Sequence, residues 1–167
     1  RRWIGAALLF GITSLVFAAL SALGQRAGAS FPSLDALAPF FALSRIGLVL
    51  LFLVPLFIGL ATYVVPLQVG SATVAFPRGA AAAFWTWLIA AGMYVGATIA
   101  GGGPGGTLKS MVDLSLVSLG LLLLGLLLAT ICIVTTVFTM RARGMYVDRV
   151  PLFSWAMVVA GGVWFLT

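Results

Sequence analysis

Five apolar stretches, each long enough or nearly long enough to cross a bilayer, constrain this chain more than any other feature. A hydrocarbon core of roughly 30 Å takes about 20 apolar helical residues per crossing. The expected spans are 3–23, 41–65, 81–100, 114–139 and 151–167, the last incomplete within the sequence. A strand of a membrane barrel would instead alternate lipid-facing and inward residues over about 10 positions. No such alternation occurs, so the expected fold class is all-α: a polytopic transmembrane helix bundle with four complete spans and part of a fifth, forming a single membrane domain over 1–167. Charged residues make up only 7% of the chain, against about 25% in soluble domains. Arg1 and Arg2 precede the first run as they would in a signal peptide, but the apolar core of a signal peptide is about 7 to 15 residues. The first run is therefore read as a retained helix. The chain is expected to be an excerpt of a longer protein.

Net charge is +6, from nine Lys/Arg against three Asp/Glu. In a soluble domain this would suggest nucleic acid as a partner, but here the basic residues lie between apolar runs, where they orient the chain. With the amino terminus inside, that side holds Arg1, Arg2, Arg78, Arg141, Arg143 and Arg149. The other side holds Arg26 and Lys109, with Arg45 near the outer boundary of the second span. Basic residues accumulate on the cytoplasmic side. The expected setting is a prokaryotic cytoplasmic membrane with a cytoplasmic amino terminus, the lipid bilayer as a partner and no nucleic acid.

The spans carry few groups capable of chemistry. There is no histidine, and the lone Cys132 can form neither an internal disulfide nor a multi-cysteine metal site. Arg45 is expected to snorkel to the headgroups. Asp113 is expected to cap the fourth helix or to pair with Lys109. Pro55 predicts a kink whose freed carbonyl a neighbouring helix satisfies. Gly92 with Gly96, and Gly125 with Ala129, have the spacing of close helix contacts and are read as internal packing. Thr135, Thr136 and Thr139 are expected to bond back to their own helix. Met93, Tyr94 and Cys132 could in principle ligate a haem iron, but as residue types they are more often packing residues.

After the second span the residues Tyr63-Val64-Val65-Pro66-Leu67-Gln68-Val69-Gly70, then Ala75-Phe76-Pro77-Arg78 and Phe84-Trp85, resemble a stretch of subunit I of the haem-copper respiratory oxidases, the cytochrome c oxidase family. A second block is similar: Val112-Asp113-Leu114, Thr135-Thr136, Met140-Arg141-Ala142, Gly144-Met145, Asp148-Arg149 and Pro151-Leu152-Phe153-Ser154-Trp155. Trp3-Ile4-Gly5 resembles the start of the family's first helix. The resemblance implies a complete protein of about twelve helices, with haem and copper as cofactors on later ones, and other oxidase subunits and cytochrome c as partners. It places Arg26 near the low-spin haem, at the outer end of the first helix.

Set beside that family the chain departs from it at functional positions. The low-spin haem histidine of the second helix falls near Leu43. The aspartate that opens the proton-uptake path aligns with Thr73, and its companion asparagines with Thr62 and Ala80. Paired serines on the fourth helix align with Gly125 and Leu126, and an asparagine with Cys132. Threonine exchanges no proton near neutral pH and leucine offers water no hydrogen bond, so this path is expected to be closed. The family's Trp-Thr-Tyr-Pro-Pro stretch is replaced by Gly101-Gly102-Gly103-Pro104-Gly105-Gly106, and Arg143 stands in place of a proline.

The expected function is a membrane-embedded, subunit-I-like component of a haem-copper terminal oxidase, which in the complete protein moves electrons from cytochrome c to oxygen. This segment carries no visible catalytic residue and no metal ligand. The alternative is a degenerate, haem-less relative with a structural or partner-binding role. A more remote alternative is a small-solute transporter, which would call for an intramembrane charge, a broken helix pair or an inverted repeat.

Overall fold

The computed structural model describes residues 2–26, 41–103, 106, 108–142 and 150–166, and among them every regular element is helical. Helix α1 is Arg2–Arg26, α2 is Phe41–Val69, α3 is Pro77–Gly101 and α4 is Lys109–Thr139. These four are long and apolar enough to cross a membrane, and α5, Leu152–Leu166, is a shorter apolar helix. The chain is an all-helical transmembrane bundle. Arg1, Pro104, Gly105, Arg143, Gly144, Met145, Asp148 and Arg149, singled out in the sequence, lie outside the described residues.

Three helix ends differ from the sequence expectation. Helix α2 continues through Pro66 to Val69 and stops at Gly70, whose φ of 77° is left-handed. The N–H groups of Gly70 and Ser71 both reach the Pro66 carbonyl. Glycine is the residue that adopts this closing conformation without strain, so the stop lies at Gly70 and not at the proline. Helix α3 begins at Pro77, in its first turn, where a missing N–H removes no intrahelical bond. Helix α4 begins at Lys109, behind an N-cap Leu108 that makes no side-chain hydrogen bond. Asp113 is therefore exposed in the second turn and caps nothing; a polar opening turn can stand in the headgroup layer, which the hydropathy boundary at 114 leaves out.

Helices α3 and α4 form the most extensive pair, with α2 against α4, α1 against α2, and α5 against α4 and α2. The core of the bundle is Leu51, Ile58, Ala61, Val65, Ala83, Trp87, Ala90, Leu122, Leu126 and Ile133, with their packed neighbours. At one end of the bundle three hydrogen bonds join the end of α2 and the α2–α3 connection to α4, to the residues that follow it and to α5. Ala75 N–H donates to Thr136 Oγ1 at 2.9 Å, Ala142 N–H to the Val69 carbonyl at 3.0 Å, and Ser154 Oγ–H to Gln68 Oε1 at 2.7 Å.

Thr135, Thr136 and Thr139 all donate to carbonyls of their own helix, as the sequence suggests. Thr136 does more, because its oxygen also accepts from Ala75. Thr136→Val keeps the shape and leaves the Ala75 N–H without its acceptor, a loss of roughly 1–3 kcal/mol. A lower thermal midpoint for the detergent-solubilised full-length protein checks this, with Thr135→Val, whose hydroxyl serves only its own helix, as the near-neutral control.

Candidate functional site

Helix α2 is not regular where Pro55 enters it. Residues Gly47–Leu53 form a wide π-helical stretch in which Val54 N–H bonds to the Val49 carbonyl, five residues back. In that register the next carbonyl, Leu50, would accept from residue 55, and proline has no N–H. The indole Nε1–H of Trp87 on α3 donates to it instead, at 3.3 Å. The kink expected at Pro55 is thus a π turn, and the neighbour that satisfies its carbonyl is a fully buried tryptophan.

Trp87 also organises the seam between α3 and α4. A β-carbon on Gly125 would lie 2.9 Å from the Trp87 backbone nitrogen and 3.1 Å from its Cα. Only glycine lets the two backbones come this close. Gly125 and Ala129 pack internally, as read from sequence. Gly92 and Gly96 do not: both are exposed, and a β-carbon on either would meet nothing within 4 Å. The spacing was correct, but the face that carries them is turned away from the bundle.

Toward the end where α1 and α3 begin, Thr62, Thr73 and Ala80 line one pocket of about 370 Å³, together with Arg2, Trp3 and Trp85. Beyond it, Cys132 Sγ would lie 3.2 Å from a β-carbon on Gly79, and Cys132 and Leu126 are buried. The positions that the resemblance aligns with a proton path do converge along the α2–α3–α4 seam. Among the described residues lining the pocket there is no carboxylate, imidazole or thiol, and past Gly79 the seam is filled by Cys132, Leu126 and the Gly125–Trp87 contact.

A family model described as Cytochrome C and Quinol oxidase polypeptide I matches residues 2–167. The chain belongs to this family. A relative, the probable cytochrome c oxidase subunit 1-alpha of Streptomyces coelicolor, is 29% identical over 134 residues, covering 68% of this chain and 22% of the relative. The chain thus spans less than a quarter of that relative's length. Membership makes this an integral membrane, haem-copper oxidase subunit-I-like protein.

The described residues of this family member do not fit a low-spin haem held from α2. Leu43, at the aligned ligand position, is an aliphatic side chain only 2% exposed and packed into the core. The remaining donor atoms do not converge. Cys132 lies beside Gly79, whereas Tyr94 is fifteen residues further along α3, a separation of about 20 Å at 1.5 Å per residue. Met93 is 36% exposed on the neighbouring face. Among the described residues there is no group of three or more His, Cys, Asp or Glu placed to hold a metal ion. Arg26 is the last residue of α1; its side chain lies outside the described residues.

Arg45 is exposed on α2, one turn from its start. Its guanidinium can reach the headgroups along the helix surface. Arg45→Leu is expected to leave insertion and yield unchanged, checked by immunoblot of the membrane fraction. Rapid loss of the variant would show that the arginine has a buried partner.

Proposed function

We propose that this chain is the amino-terminal helix bundle of a subunit-I-like component of a haem-copper terminal oxidase, and that in this component these helices are scaffold. They neither ligate a low-spin haem nor conduct protons between α2, α3 and α4. In the complete protein, electrons pass from cytochrome c to oxygen on helices outside this segment, by a route that does not use α2. The observation that carries the reading is Leu43, buried in the core at the position where the family's ligand is expected. The filled seam at Gly125, Leu126 and Cys132 supports it. The excess of basic residues along the sequence on the side of Arg1, Arg2, Arg78, Arg141, Arg143 and Arg149 supports a cytoplasmic amino terminus, and the Streptomyces relative supports a prokaryotic membrane.

The test uses the purified full-length protein: a reduced-minus-oxidised spectrum with haem extraction, and oxygen uptake from reduced cytochrome c. The expected result is uptake without a bis-histidine low-spin signal. Stoichiometric low-spin haem overturns the scaffold reading. Absence of both haem and uptake selects the second reading, a haem-less structural relative, which the same buried Leu43 favours.

A further inference from the structure

The pocket at the seam's charged end has a composition that scaffold packing does not call for. Its volume, about 370 Å³, lies in the range of ligand sites, about 300–1,000 Å³. Arg2 and Thr73 are exposed at its mouth, while Trp3 and Phe84, buried with ring centroids 5.2 Å apart, form an apolar wall. Among the described residues, Arg2 is the one charged residue lining it.

The surroundings carry the same sign. Arg78 follows Pro77 at the start of α3, and Arg141 follows the end of α4, which the Ala75–Thr136 and Ala142–Val69 bonds place at this end of the bundle. Asp113, the one acidic residue among those described, is near the start of α4, at the opposite end. The pocket therefore combines a cation, a hydroxyl and an aromatic wall at the level where membrane helices end. Basic pockets between transmembrane helices take anionic lipid headgroups, and tryptophans settle at the same level. A free inorganic anion would use the arginine but not the apolar wall. A phospholipid uses both.

We propose that this pocket seats the phosphate of an anionic phospholipid, with Arg2 donating to the phosphate oxygens beside the Thr73 hydroxyl, and the glycerol and first acyl carbons against Trp3, Phe84 and Ala81. The site is independent of whether the complete protein reduces oxygen.

The test is native mass spectrometry of the full-length protein released from nanodiscs of phosphatidylglycerol and phosphatidylcholine. Wild type retains phosphatidylglycerol selectively through delipidation. Arg2→Gln lowers that retention about fivefold, and Arg2→Lys recovers part of it. Ala81→Trp, which fills the pocket and keeps the charge, abolishes it, whereas Arg45→Gln at the other end leaves it unchanged. Millimolar inorganic phosphate does not displace the lipid. Equal retention by wild type and Arg2→Gln, equal retention of phosphatidylcholine, undiminished retention by Ala81→Trp, or displacement by phosphate each overturns the proposal.

Discussion

Trp87→Ala lowers the unfolding free energy of the detergent-solubilised full-length protein by roughly 3–5 kcal/mol, the range for removing a large aromatic from a packed core. The residue is fully buried, and its ring lies 5.2 Å from that of Trp3, 5.7 Å from Phe10 and 6.2 Å from Phe84. Its loss opens the junction of α1 with α3 and strips the Leu50 carbonyl of its donor. The two parts separate experimentally. Trp87→Phe removes the donor together with the five-membered part of the indole, so a small cavity adds to the lost bond, which by itself is worth about 1–3 kcal/mol. At 3.3 Å the bond is long, which places the loss at the low end. In a Pro55→Ala background the backbone regains an N–H that can serve the freed carbonyl, so Trp87→Phe costs less there. A double-mutant cycle by denaturant unfolding, followed by far-ultraviolet circular dichroism, reads this coupling. Equal costs in both backgrounds would show that the proline and the tryptophan act independently.

Gly125→Val separates α3 from α4. The added β-carbon falls 2.9 Å from a backbone nitrogen, and a backbone in mid-helix cannot step aside as a side-chain tip can. Overpacking of this kind costs roughly 1–3 kcal/mol or more, and it acts on the most extensive helix pair in the bundle. Gly125→Ser, which introduces the hydroxyl that the resemblance to the family implies there, is expected to destabilise as well, since it carries the same β-carbon. Gly92→Ala and Gly96→Ala meet nothing, and gain up to about 1 kcal/mol of helix propensity. The ordering is checked by the temperature at which each variant leaves the monodisperse peak in size-exclusion chromatography. Similar losses at all three glycines would mean that the α3 pair has a partner helix in the full-length protein.

Much of the fold is legible in the sequence, and the reasons are local. A stretch such as 114–139 can do little but form a helix in hydrocarbon, because every backbone polar group must be paired within the segment. The threonines at 135, 136 and 139 bond to their own carbonyls for the same reason. Helix ends are less legible, because Gly70, Pro77 and Lys109 mark them by capping geometry, while hydropathy marks only the edge of the apolar layer. The Ala75–Thr136 and Trp87–Leu50 bonds leave no signal of their own. The latter could have been anticipated from the bond that Pro55 cannot make, though not its donor. The candidate site is legible in part: resemblance selects Thr62, Thr73 and Ala80, and only folding shows that they share a pocket with Arg2.

The sequence by itself determined that the chain is a helical membrane bundle, that basic residues gather at one end, and that no imidazole stands at position 43 or anywhere else. These follow from composition along the chain and from what a bilayer demands of it. Tertiary structure alone decided that Gly125 faces Trp87 while Gly92 and Gly96 face outward, that Trp87 is core while Trp85 is exposed, and that Leu43 is packed inward. Each of those depends on how a helix is rotated about its own axis. In helices that are apolar all round, nothing in the sequence pattern sets that angle; contacts with neighbouring helices do.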